Sequence, residues 1–170
     1  MAVKLRIIVA ACVLLLVALP VLSQQNRGKT EATVKGKKIT IDYGRPALQG
    51  RDMIAMARPG MVWRLGMDEA TEISTSATLV VGSKEVKPGK YTLWAKKTGD
   101  TQWILGFHPQ TGVWGEPALE SGYVAELPLK LDKAANSAER LAITVADKAG
   151  DAAITIQWGT AQLSGSVGVK

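Results

Sequence analysis

The short spacing of its apolar residues most limits the folds open to this chain. Ile39, Ile41 and Tyr43 alternate with Lys38, Thr40 and Asp42. Trp103, Leu105 and Phe107 share one face, with Ile104 and His108 on the other. The same alternation links Ala125, Leu127, Leu129 and Leu131, then Leu141, Ile143 and Val145, then Ile154, Ile156 and Trp158. A repeat of two marks a half-buried strand, and no segment in this region sustains the helical period of about 3.6 residues. Turn residues separate the runs at Lys35-Gly36-Lys37, Gly82-Ser83-Lys84, Lys87-Pro88-Gly89-Lys90 and Gly99-Asp100. Proline presets φ there and glycine accepts a positive φ. The pattern predicts an all-β, single-domain antiparallel β-sandwich or barrel-like fold. It also predicts a long irregular loop over Gly44–Gly60, carrying a short helical turn within Arg51–Ala57 that Pro59-Gly60 ends. Alanine-rich Lys133–Glu139 reads as another helical turn.

The N-terminus carries a different signal. Lys4 and Arg6 precede an apolar run from Ile7 to Leu19, followed by Pro20 and a polar switch at Ser23-Gln24. That is the layout of a secretory signal peptide over residues 1–23. The run falls short of the roughly 20 apolar residues a membrane helix needs. An uncleaved leader is the one membrane attachment the sequence allows for. Residues 24–30 are expected to be a flexible N-terminus, 31–158 the β domain and 159–170 a flexible C-terminal tail. The expected destination is the periplasm or the extracellular space.

The single cysteine, Cys12, lies in that leader, so the exported chain would hold no disulfide, thiolate nucleophile or cysteine-ligated metal. Without residues 1–23, about 147 residues remain, enough for one domain. Removing two of the 21 basic residues and none of the 15 acidic ones lowers the formal charge from +6 to about +4. The signs are mixed along the chain. The densest basic groups, Lys35/Lys37/Lys38 and Lys84/Lys87/Lys90, surround turns, so nucleic acid is not an expected partner. One histidine and no metal-binding loop motif give no expectation of a metal or other cofactor.

Several segments carry a resemblance. They are Ile39-Thr40-Ile41-Asp42-Tyr43-Gly44-Arg45-Pro46, Gly50-Arg51, Val62-Trp63-Arg64-Leu65-Gly66-Met67-Asp68-Glu69-Ala70-Thr71, Pro88-Gly89-Lys90-Tyr91-Thr92-Leu93-Trp94 and Trp114-Gly115. Together they resemble the bacterial family Domain of Unknown Function 2911, over about Thr33 to Trp158. The resemblance implies a secreted or periplasmic, mostly β protein and implies no activity. Members of that family usually have Thr-Gly-Ala-Asn where this chain has Leu65-Gly66-Met67-Asp68. The change places a charge at Asp68.

The candidate site is the polar cluster within these segments: Tyr43, Arg45, Arg51, Trp63, Arg64, Asp68 and Glu69. Its guanidiniums could fork onto a carboxylate, sulfate or phosphate, while Trp63 offers a stacking face. The competing reading is an internal Arg–carboxylate network that pins the long loop. Trp94 and Trp114, out of phase or in a loop, could form an aromatic platform, whereas Trp103 and Trp158 belong to the core. The leading expectation is non-catalytic binding of a glycan or small anionic ligand. The alternatives are a structural or interaction module of the envelope and a hydrolase-like enzyme using Glu69 or His108. Glu116, Glu120 and Glu126 are further carboxylates for such a hydrolase. No catalytic motif is present.

Overall fold

The structure is a computed structural model that describes residues 26–115 and 118–170. The leader assigned to 1–23 lies outside the described residues. Among the described residues no helix is long and apolar enough to cross a membrane.

In chain order the strands are β1 Arg27–Val34, β2 Lys37–Gly44, β3 Val62–Trp63, β4 Glu72–Thr75, β5 Leu79–Val81 and β6 Lys84–Val86, then β7 Gly89–Lys97, β8 Gln102–His108, β9 Ala125–Lys148 and β10 Asp151–Val169. One four-residue helix, α1 Met53–Met56, interrupts them. Asp52 caps it, its carboxylate accepting from the Ala55 N–H at 2.9 Å. The strands form one antiparallel sheet in the order β1-β2-β4-β7-β8-β9-β10-β5-β6, with β3 paired to β7. The expected all-β antiparallel fold therefore takes the form of a single sheet that does not close.

The sheet curls on itself. Five places separate β1 from β9 in its order, yet the Val145 N–H donates to Thr30 Oγ1 at 3.3 Å. The bend is built into β9. From Gln157 to Ala161, β10 advances four positions while β9 goes back nine, from Ala142 to Lys133. Such extra residues in one strand bend it and increase its twist. The Gln157 side-chain amide stitches the bulge, donating to Asn136 O at 2.6 Å and Gly159 O at 3.2 Å. Lys133–Glu139 is this bulged strand, not the helical turn its alanines predict. The long loop docks on it: Leu48 N–H donates to Glu139 O at 2.6 Å and Leu141 N–H to Pro46 O at 3.1 Å.

Inside the curl the alternating residues meet. Ile39, Ile41, Leu105, Leu141 and Phe107 are wholly buried, and Trp63 stacks on Trp158 with centroids 5.9 Å apart. Trp103 and Trp158 lie in the core, as their phase predicts. Trp94 is buried too, its indole N–H donating to Thr92 Oγ1 at 3.0 Å, so it forms no exposed platform.

Both expected flexible ends differ. Arg27–Thr30 belong to β1, whose register follows from the Lys35-Gly36 hairpin; both turn residues have positive φ. At the other end β10 runs through to Val169, pairing with β9 and then with β5. Leu163, Val167 and Val169 are buried. These three residues keep a period of two, diluted by Gly159, Gly165 and Gly168 and the serines, which is why the segment reads as a tail. We expect Leu163→Ala to destabilise the protein by about 2–5 kcal/mol, the range for emptying a core leucine site. Urea unfolding checks this; an unchanged midpoint would mean that the segment is not part of the core.

Candidate functional site

The site starts from a crossing of two backbones. β2 ends at Gly44, and the loop Leu65–Asp68 passes directly against it. A Cβ on Gly44 would lie 2.6 Å from Met67 N, and one on Gly66 would lie 2.8 Å from Gly44 O. Neither position accepts a side chain without moving main chain. Within the loop Leu65 and Asp68 take left-handed φ values of 57° and 61°, uncommon for L-residues and least tolerable for bulky ones. Leu65 is held there by complete burial and by the Thr71 hydroxyl, which donates to its carbonyl at 2.8 Å.

Beyond the crossing, Asp68–Ala70 pairs with Val113–Gly115. Glu69 and Trp114 form a bridge, Ala70 N–H donates to Val113 O at 3.1 Å, and Gly115 N–H donates to Asp68 O at 3.2 Å. A cleft of about 430 Å³ opens beside this ladder, its walls including Asn26, Arg27, Asp68, Glu69, Glu72 and Trp114. Trp114 is 57 % exposed, unlike the four other tryptophans, which are buried.

Arg27 ties the walls together. Its guanidinium pairs with Asp42, Nε donating to Oδ1 at 3.0 Å, while Nη1 donates to the Glu69 carbonyl at 3.2 Å and to its carboxylate at 3.3 Å. Glu72 is equally committed: Oε1 accepts the Gly112 N–H at 2.8 Å and Oε2 pairs with Lys90 Nζ at 2.5 Å. Partial burial opposes the Glu72 charge, but the Gly112 N–H, Lys90 and Arg27 outweigh it and hold this carboxyl below its ordinary value of 4.5.

The residues singled out in the sequence separate. Asp68 and Glu69 line the cleft. Tyr43 and Trp63 are core residues, and the stacking face of Trp63 is taken by Trp158. Arg45 is structural: its N–H donates to Asn26 O at 2.6 Å, its Nε to Leu141 O at 3.3 Å, and its carbonyl accepts from Arg140 at 3.0 Å. Arg51 is exposed on the long loop, where it donates to Gln49 at 3.3 Å. Arg64 lies along Gly115, with Nη1 2.8 Å from where a Cβ would stand. The guanidiniums of Arg45, Arg51 and Arg64 therefore do not converge. Arg27 and Glu72 were missed. Extending the two-residue hairpin back from Lys35-Gly36 would have brought Arg27 to the end of β2, one strand from Asp42.

His108 is not among the cleft residues. Its Nδ1 accepts the Gln110 N–H at 3.1 Å, and its ring meets Tyr123 edge-on at 5.8 Å. Burial, reinforced by Glu126 and Glu120, pushes the Tyr123 phenol up to about 12, so it holds its proton at neutral pH. Glu116 lies outside the described residues. Among the described residues no three His, Cys, Asp or Glu side chains are grouped to hold a metal ion.

Fold and site together define an all-β protein on one open antiparallel sheet, with a cleft of carboxylates and tryptophan beside a double-glycine crossing. The chain belongs to the family described as Protein of unknown function (DUF2911), which matches residues 25–167. No curated protein and no solved structure matches it. Asp68 lies in the wall of the cleft. We expect Gly44→Ala to cost about 3 kcal/mol, since the clash is with main chain and cannot relax by a rotamer change. Gly36→Ala, where a Cβ meets open space at a φ of 74°, should cost about 1 kcal/mol. Paired urea titrations test this; equal losses would mean that the crossing does not bind the two segments.

Proposed function

We propose that the protein is an exported, non-catalytic binding module that takes a glycan in the cleft beside Trp114. The observation that carries this reading is the exposed indole set in a cleft whose walls also include three carboxylates, an amide and the Arg27 guanidinium. A pyranose ring has an apolar C–H face that packs on a flat aromatic surface, while its hydroxyls need closely placed acceptors and donors. Trp114 offers the first, and Asp68, Glu69 and Asn26 offer the second.

Charge narrows the ligand. Asp68, Glu69 and Glu72 face a single lining guanidinium, Arg27, whose donors are directed at Asp42 and Glu69. A neutral or amine-bearing sugar fits this balance better than a sulfated, phosphorylated or uronic one. Glycoside hydrolysis would need a carboxylic acid with a raised pKa as proton donor; Glu72, held low by the Gly112 N–H, Lys90 and Arg27, does not suit that role. Two left-handed residues, Leu65 and Asp68, in the loop that shapes the cleft also favour a binding role, because strain of this kind concentrates at functional sites. The basic-then-apolar N-terminus supports export.

The four buried tryptophans make the test direct. In a panel of neutral, amine-bearing and sulfated tetrasaccharides, a neutral or amine-bearing member should shield Trp114 from acrylamide quenching, and the sulfated members should not. Trp114→Ala should abolish binding measured by calorimetry while leaving the melting temperature nearly unchanged. Binding that survives Trp114→Ala, or no binding by any member of the panel, would reject the reading.

A further inference from the structure

A row of polar residues crosses the sheet beneath the segment that carries Trp114. Asp42 on β2 pairs with Glu72 on β4, Glu72 with Thr92 on β7, and Thr92 with His108 on β8. Directly paired residues share a face of the sheet, so all four point the same way. The segment Gln110–Gly115 lies across them, and the row takes up its backbone groups one after another. Gln110 N–H donates to His108 Nδ1 at 3.1 Å, Gln110 O accepts from the Thr92 hydroxyl at 3.1 Å, and Gly112 N–H donates to Glu72 at 2.8 Å. The far side is held by the ladder, Val113 O to Ala70 N–H and Gly115 N–H to Asp68 O. Thr92 is completely buried and also accepts the Trp94 indole N–H, so its hydroxyl joins the segment to the core.

These contacts resemble a designed fastening more than chance surface contacts. The backbone groups of such a segment need partners, and on this side two side chains, His108 and Glu72, accept N–H groups while Thr92 donates to a carbonyl. Only the Glu72 contact combines a charge with an ion pair. The charged groups around it are Lys90 from β7 and Arg27 from β1; its β2 neighbour, Asp42, is paired with Arg27, and Asp68 and Glu69 share the cleft.

We propose that this row is an acid-sensitive latch: Glu72, Thr92 and His108 position the Trp114 segment, and protonation of Glu72 releases it. The neutral carboxyl loses its attraction for Lys90 and is a weaker acceptor for Gly112 N–H. The sign follows from a Glu72 carboxyl held below 4.5 in the folded protein. Its contribution is complete above 4.5 and is lost as pH falls through the lower folded value. The functional consequence rests on the glycan reading: a cleft whose aromatic wall is released binds more weakly, in proportion to the fraction still latched.

NMR on the full-length protein tests the latch without any ligand. The Gly112 amide and Trp114 indole resonances should share a step with its midpoint below 4.5, while the indoles of the core residues Trp103 and Trp158 stay fixed. Glu72→Gln, which keeps a carbonyl acceptor but no charge, should remove that step. It should also raise Gly112 amide exchange at neutral pH at least about tenfold, the scale of a lost charged hydrogen bond. Thr92→Val should loosen the segment at every pH, and Thr92→Ser should restore it. Independent movement of Trp114 and Gly112, a step that survives Glu72→Gln, or simultaneous movement of the core indoles would overturn the proposal. A tetrasaccharide bound equally well at pH 7 and about pH 3.5 would overturn its functional consequence. Failure of the whole panel at pH 7 would reject the glycan reading alone, with the latch still decided by the resonances.

Discussion

The contact of Gly44 with Gly66 and Met67 sets the geometry on which both the curled sheet and the cleft depend. Backbone on backbone is the closest approach two segments can make, and it leaves no side chain to adjust. Once β2 ends in that contact, Tyr43 turns inward against Gly28, and Arg45 must leave toward Asn26 and Leu141. On the other side of the crossing the chain has only Leu65–Asp68 in which to reverse, which forces two residues into left-handed conformations. The strain is tolerable because burial of Leu65 and the Thr71 hydroxyl leave the loop no relaxed alternative. Asp68 and Glu69 emerge from the turn on the side where Trp114 lies.

The curl supplies the second half of the geometry. A flat antiparallel sheet of this length would leave two long edges and one exposed apolar face. The extra residues in β9 let one strand pair turn a corner, so that β1 comes back to β9 and the apolar faces of Ile39, Leu105 and Ile143 close over a shared core. The β1–β2 pairing puts the first residue of β1, Arg27, at the cleft, where it pairs with Asp42 and ties down Glu69. One guanidinium thus joins the beginning of the fold to the motif loop. Arginine suits the task because its planar fork serves several acceptors at once.

Much of this was legible in the residues, and the failures have physical causes. The alternating runs around Ile41, Leu105, Leu129 and Ile156 mark their strands because each has one face on the core. The Asp52 turn and the Lys35-Gly36 hairpin are readable from local chemistry alone. The bulge in β9 is not, because its alanines have no partner to alternate against and resemble a helix former's surface. The last strand is hidden by glycines and serines that pack closely, Gly165 lying against Leu127 and Leu129. At the site, motif and function separate: most of the conspicuous Tyr-Gly-Arg-Pro and Trp-Arg residues serve the crossing and the core. Glu72, Thr92 and Arg27 carry no local pattern and acquire meaning only through strand register.

That separation explains how a strongly patterned segment can lie beside a site of different chemistry. Residues that fix a backbone crossing have few alternatives, since any Cβ or altered turn displaces main chain. The cleft wall is less constrained by packing, because the Asp68 side chain lines the cleft rather than the core. A carboxylate rather than an amide there would alter the charge that the cleft presents. On the proposed glycan reading, the rigid part of the motif would hold the cleft wall steady, and ligand preference would be set at Asp68 and Trp114 rather than at the arginines that dominate the pattern.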